Sequence, residues 1–140
     1  MIDNATVEVL RECSRNSFEN MPFPQVVGKL MAAGIESYHA DLFRHEKTYY
    51  LPNGYSHVEA DEERHTRVLN GKLVPEELDK PAVQRAVSQI QKAQIGYVEF
   101  LEQIMKAGVF SYNVYLRGQR VVYVGRTGDE HIEWFPGARS

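Results

Sequence analysis

The fold is decided by a short stretch that the chain repeats, AAGIESYHADLF at 32–43 and KAGVFSYNVYLR at 106–117. The match extends without a gap over 23–59 and 97–133, at a constant offset between the two copies. Ten of the 37 aligned positions are identical, whereas chance pairing at ordinary composition gives roughly two. We therefore interpret the chain as an internal duplication of one structural unit.

Each copy predicts the same local structure. Apolar residues recur at helical spacing over 23–31 and 97–105, which is typical of an amphipathic helix. Gly34 and Gly108 follow, where a left-handed residue closes a helix. An earlier helix is predicted in each half from the apolar stripes Val7, Leu10, Cys13 and Val83, Val87, Ile90. The predicted strands are 35–43, 47–51 and Ser56–Glu59 in the first copy, and 109–117, 120–124 and Glu130–Trp134 in the second.

Two such units predict one α+β domain over 1–140, with an antiparallel sheet and helices packed on one face. A lone helix-plus-hairpin cannot bury its apolar face, so we expect the copies to share one sheet and one core, related by a pseudo-two-fold axis. The predicted parts are unit 1 at 5–59, a polar connector at 60–80, unit 2 at 81–136 and a loose tail at 137–140.

Composition and charge exclude several classes of protein. The apolar share of 43% and charged share of 25% are ordinary for a soluble globular chain. A net charge of −3 without a basic run does not favour nucleic acid as a partner. One cysteine excludes an intrachain disulfide. The N-terminus does not resemble a signal peptide and no apolar run is long enough to span a bilayer, so we expect a cytoplasmic protein with no membrane partner.

The candidate catalytic residues are the polar positions that are identical in both copies: His57, Glu59, His131 and Glu133. Residues i and i+2 of a strand share one face, and a histidine beside a carboxylate can share a metal or act as an acid/base pair. The four side chains would converge if the copies met near the axis. Alternatively, each pair hydrogen-bonds locally in its own copy for structural reasons. Without an HExxH or paired-cysteine motif, we assign no metal and no cofactor.

The strand alternation predicts a second candidate surface. Tyr38 and Tyr112 are expected to face the helices. The opposite face mixes aromatic and polar groups, and it is either solvated or a binding surface. Arg126 in GRTG (125–128) could contact a phosphate, although a hairpin turn explains those glycines equally well. The ligand-binding candidates on the opposite face are His39, Asp41, Phe43, Asn113, Tyr115 and Arg117.

Three stretches carry a resemblance to a known family: KLMAAGIESYHAD (29–41), KTYYLPNG (47–54) and GDEHIEWFP (128–136). From about residue 5 to residue 136 the chain resembles the YbcV-like family. These are small bacterial and phage-associated proteins grouped as a domain of unknown function, some of them labelled "phage envelope protein". The resemblance implies a small α+β protein of a bacterium or its phage, and it implies no activity, cofactor or catalytic residue.

The absence of a catalytic motif favours a non-enzymatic binding or interaction module, for a small molecule or a protein partner, acting as a monomer or homodimer. The alternative is a small enzyme or metal site built from the His-x-Glu pairs. A further alternative is a structural component of a phage particle.

Overall fold

A computed structural model of the protein describes residues 2–70 and 73–138. Within these residues the strands form one antiparallel sheet in the order β3-β2-β1-β4-β5-β6, which confirms the predicted α+β class. No helix in this part of the chain is long and apolar enough to cross a membrane. The elements are α1 (Asn4–Phe18), α2 (Phe23–Ala32), β1 (Ser37–Asp41), β2 (Glu46–Tyr50), β3 (Ser56–Ala60), α3 (Glu63–Leu69), α4 (Lys80–Gln91), α5 (Tyr97–Lys106), β4 (Val109–Tyr115), β5 (Arg120–Gly125) and β6 (Glu130–Trp134).

The two halves of the sheet pair in the same register. Tyr38 of β1 lies opposite Tyr49 of β2, and the residues aligned with them in the repeat, Tyr112 of β4 and Tyr123 of β5, likewise lie opposite each other. The central pair, β1 and β4, places His39 opposite Asn113, which are also aligned in the repeat. A pseudo-two-fold axis through that last pair therefore relates the strand pairings. This common register supports the repeat interpretation, while duplication of an ancestral unit stays a prediction.

The helices bury most of the apolar stripes predicted for them, but Phe23 and Met31, at the two ends of the first repeat stripe, are exposed. Asp3 caps α1, since its Oδ1 accepts a hydrogen bond from Thr6 N at 2.7 Å, and Leu10 and Cys13 of this helix are fully buried. The helix α1 packs on α2, and α4 packs on α5. The buried residues of the two repeat helices are Val26, Val27 and Leu30 in α2, and Phe100, Leu101, Ile104 and Met105 in α5.

The connector contains a short helix that the polar composition of 60–80 does not predict. Leu69 ends α3 and is buried, as is Val74, so the segment contributes to the core as well as to the surface. Asp79 then caps α4 by accepting a hydrogen bond from Ala82 N at 3.1 Å. In the predicted tail, Ala138 N donates to Phe135 O at 2.9 Å, and residues 139–140 lie outside the described part of the chain.

The helices cover one face of the sheet. Tyr38, Ala40, Tyr112 and Val114 point toward them and are buried, as the alternation predicts. Helices do not pack on the opposite face in the described chain, and large apolar side chains such as Tyr115 are exposed there. The two faces therefore offer different kinds of site: a partly covered one between the layers and an open one outside.

Candidate functional site

The structure forms both predicted His-x-Glu pairs but does not bring them together. His57 Nε2 lies 2.8 Å from Glu59 Oε2 on β3, and His131 Nε2 lies 2.8 Å from Glu133 Oε1 on β6. Because β3 and β6 are the two outer strands, the pairs lie at opposite edges of the sheet. Over residues 2–70 and 73–138, no cluster of three or more His, Cys, Asp or Glu is placed to hold a metal ion.

The polar candidates at the centre of the open face are hydrogen-bonded within the protein. His39 Nδ1 lies 2.7 Å from Asn113 Oδ1, so a hydrogen bond joins the two halves at the pseudo-two-fold axis. Asp41 Oδ1 accepts hydrogen bonds from the backbone N–H groups of Phe43 and Arg44 at 3.0 and 2.9 Å. This is the arrangement by which an aspartate stabilises a turn. These polar groups therefore already have hydrogen-bond partners within the protein.

The remaining candidates on the open face are more exposed. The ring of Phe43 packs against Phe110 with centroids 5.5 Å apart, yet it is half exposed. Tyr115 and Arg117 lie at and just beyond the end of β4 and are exposed. Their use in binding stays a prediction.

Arg126 is engaged by the chain itself. Its Nη1 donates a hydrogen bond to the carbonyl of Val74 at 3.0 Å, and this bond joins the connector to the β5–β6 turn. A shallow depression beside this turn is lined in part by the acidic residues Glu76, Glu77 and Asp129. Carboxylates repel anions, so these surroundings do not favour a phosphate there.

A cavity of about 600 Å³ lies between the helices and the second half of the sheet. Tyr112, Val121 and Tyr123 form its floor on the sheet, and Tyr97 and Phe100 of α5 form one wall. Natural small-molecule sites are mostly apolar spaces of roughly 300–1,000 Å³ with a few polar groups. Other lining residues come from α2, from the end of α4, and from the chain leaving β6: Phe23, Val26, Val87, Ile90, Trp134 and Phe135.

The rim of the cavity is formed by the two loops that join the paired helices. Asn20, which follows α1, accepts a hydrogen bond at its Oδ1 from Tyr97 N at 2.8 Å and so caps the start of α5. The two loops meet closely, because a Cβ added at Gly96 would lie 2.9 Å from the same oxygen. A side chain of the first half thus fixes the helix that forms a wall of the cavity.

Tyrosine hydroxyls supply polar groups inside the cavity. The Tyr97 and Tyr112 hydroxyl oxygens lie 2.5 Å apart, and either can be the donor.

Burial raises the pKa of Tyr112, with a further contribution from the nearby Tyr97. Burial likewise raises the pKa of Tyr38, Tyr49 and Tyr123. We call Tyr38, Tyr49, Tyr112 and Tyr123 the buried tyrosines; they stay neutral phenols at physiological pH.

A buried lysine lies beside the cavity in the first half. Lys47 is 3% exposed, and its Nζ lies 3.2 Å from Asp61 Oδ1. The same Nζ lies 5.1 Å from the centroid of the Phe18 ring and 5.4 Å from that of Tyr97. Burial opposes its charge, but Tyr97 and Asp61 outweigh burial and raise the pKa of Lys47 above its ordinary value. The ammonium is therefore a fixed internal cation.

Of the candidate site residues predicted from the sequence, Glu133 is the one in the described lining of the cavity. Glu133 is a candidate because it is identical in both copies of the repeat. The helical spacing at 97–105 predicts Tyr97 and Phe100 as ordinary core residues. A signal for Lys47 was present, since strand alternation puts it on the same face as Tyr49, but a lysine among strand residues is normally read as exposed.

Comparison with known proteins gives a family. The chain matches the family described as "Protein of unknown function (DUF1398)" over residues 20–133. The match covers more than half of the chain, so the chain belongs to that family. No curated protein matches it.

Proposed function

We propose that this member of a family of unknown function is a non-enzymatic binding protein, and that the cavity holds a small, largely apolar ligand. The observation that carries the proposal is the cavity itself: about 600 Å³ lined by aromatic and aliphatic side chains with a few phenol and carboxylate groups. Filling a space of this kind removes apolar ligand surface from water, which is favourable by roughly 25 cal/mol per Å².

A neutral fluorescent probe tests the proposal. N-phenyl-1-naphthylamine brightens in apolar surroundings, and Trp134, the single tryptophan of the chain, lines the cavity. Binding should therefore raise the probe emission and quench Trp134 in parallel, with a stoichiometry of one. Probe emission that does not saturate, or that leaves Trp134 unchanged, would contradict the proposed site.

Two neighbouring substitutions locate the binding. Val121 points into the cavity, whereas Val122 lies on the other face of the same strand. Val121→Phe places a ring in the space that the probe would occupy, and displacing or overpacking it costs roughly 1–3 kcal/mol, so we expect about tenfold weaker binding. Val122→Phe should leave the affinity unchanged. Equal effects of the two variants would exclude the cavity as the site.

The alternative function is an acid/base or metal site. One observation favours it: Glu133 borders the cavity and is hydrogen-bonded to His131. If this pair served a reaction, the His131→Asn variant would bind a substrate but not turn it over. The finer resemblance to the YbcV-like family, the phage role, the cytoplasmic location and the oligomeric state stay predictions.

A further inference from the structure

The charged side chains that line the cavity are both acidic. Glu99 lies at the exposed rim, and Glu133 lies further in, with 22% of its side chain exposed. Lysine, arginine and histidine are absent from the described lining. A carboxylate held in a mostly apolar space is poorly solvated, so its free energy falls when a cation comes beside it.

Glu133 and Glu59 occupy equivalent positions in the two halves but have different surroundings. Each lies 2.8 Å from the histidine two residues before it. Glu59 also receives a hydrogen bond from Arg11 Nε at 3.2 Å and is 13% exposed. The first carboxylate thus has a permanent counter-charge supplied by α1, and the second borders the cavity.

The residue that lies opposite each carboxylate on the neighbouring strand also differs between the halves: it is a cation in the first half and apolar in the second. Lys47 lies opposite Glu59, and Val121, the residue aligned with Lys47 in the repeat, lies opposite Glu133. In the first half the lysine places its ammonium between two aromatic rings and the carboxylate of Asp61. In the second half a valine stands in that position, and the cavity begins above it. The first half therefore contains its own buried cation, while the second half has an acidic, aromatic space.

Aromatic rings surround that space. The Tyr123 ring centroid lies 5.7 Å from that of Tyr112 and 6.4 Å from that of Phe100, all three rings lining the cavity. A ring face attracts a cation within about 6 Å, and the attraction grows as water is excluded. Lys47 shows that this protein stabilises an ammonium beside such rings, and one of them, Tyr97, also lines the cavity.

We infer that the ligand of the cavity is an organic cation, a monovalent amine or quaternary ammonium on an aromatic or branched apolar body; this inference rests on the proposed binding function. The positive group meets Glu133 and the faces of the surrounding rings, in a position comparable to that of the Lys47 ammonium. The apolar body fills the space between α2 and α5. A bare metal ion would leave most of a 600 Å³ cavity empty.

A pair of isosteric probes isolates the effect of charge. Phenyltrimethylammonium and tert-butylbenzene have the same shape, and only the first is charged. Each is titrated against the protein holding N-phenyl-1-naphthylamine, and displacement gives its affinity. We expect the wild-type protein to bind the ammonium about tenfold more tightly than the neutral probe.

Two matched variants assign the preference to one carboxylate. Glu133→Gln should weaken binding of the ammonium about tenfold and leave the neutral probe unchanged. Glu59→Gln removes the equivalent carboxylate outside the cavity and should preserve the preference. Should Glu133→Gln not fold, Val121→Lys supplies the second half with the lysine of the first and should abolish the preference for the ammonium. Val121→Met, of similar length, should affect the two probes alike and so keep the preference.

The outcomes separate the two proposals. Loss of charge preference in Glu133→Gln or Val121→Lys, with the preference kept in the controls, supports the inference. Equal displacement by both probes, or a preference that survives both variants, overturns the cation and leaves the apolar ligand. If neither the dye nor either probe binds, the proposed function fails and the inference fails with it.

Discussion

The Lys47–Asp61 ion pair gives the sharpest prediction for stability. Lys47→Met keeps most of the side-chain volume and removes the ammonium, which leaves the Asp61 carboxylate, 8% exposed, without its partner at 3.2 Å. At an effective dielectric constant of about 20, Coulomb's law gives roughly 5 kcal/mol of attraction at that distance, part of which is offset by desolvation. Breaking a buried pair on one side typically costs about 3–5 kcal/mol.

That loss is large beside the roughly 5–15 kcal/mol by which a domain is stable. An unfolding entropy of about 2.1 cal/mol/K per residue gives roughly 0.3 kcal/mol/K for 140 residues, so Tm should fall by roughly 10–17 °C. The assay is thermal and urea unfolding of the wild type, Lys47→Met and the double variant Lys47→Met/Asp61→Asn. We expect the double variant to recover much of the loss, because both charges are then gone.

A surface pair supplies the control. Lys29 Nζ lies 2.6 Å from Glu12 Oε1, but both side chains are substantially exposed, so Lys29→Met should cost less than about 1 kcal/mol. The reasoning is refuted if Lys47→Met is no more destabilising than Lys29→Met, or if the double variant is less stable than Lys47→Met alone.

Three further outcomes are expected. Gly108→Ala should lower the free energy of unfolding by more than about 2 kcal/mol, since the residue has φ +101° and a Cβ would lie 2.3 Å from Glu77 O. Gly34→Ala, at a residue with φ +83° and open space around it, should lower it by about 1 kcal/mol. Urea titration measures both variants, and equal losses would contradict this reasoning. The raised pKa values of the buried tyrosines mean that the unfolded chain loses its phenol protons first, so their contribution to stability should be constant up to about pH 10 and fall above it. Unfolding followed by tyrosinate absorbance between about pH 9 and pH 12 measures this, and tyrosinate that forms before unfolding would argue against it. Burial raises the pKa of the Cys13 thiol, so iodoacetamide should alkylate Cys13 only in denaturant. Mass spectrometry detects the alkylated chain, and rapid alkylation of the folded protein would contradict the prediction.

The sequence predicted elements wherever one local signal decided the structure. The stripe at 97–105 and Gly108 predicted α5 and its end, and the structure has Tyr97–Lys106 with φ +101° at the glycine. Alternation at 109–117 predicted β4 and the inward direction of Tyr112. These signals depend on neighbouring residues only, so they can be read without knowing the rest of the fold.

Features that depend on distant residues could not be predicted in this way. The cavity is lined by both interhelical loops, which meet at Asn20 and Gly96, and that contact joins residues from different halves. The short helix α3 has too few residues to show a period, and its burial of Leu69 depends on the helices beside it. The separation of the His57 and His131 pairs follows from strand order, because β1 and β4, rather than β3 and β6, meet at the axis.

The central pairing of β1 with β4 makes the length of the connector important for assembly. Each half supplies three strands of the sheet, and the covalent link between the halves is the connector that follows Ala60. A deletion that prevents this return would free β1 to pair with β4 of a second molecule, in an exchange of halves between two chains. Such a domain-swapped dimer would have the same strand register and two complete cavities, so the number of binding sites per chain would not change.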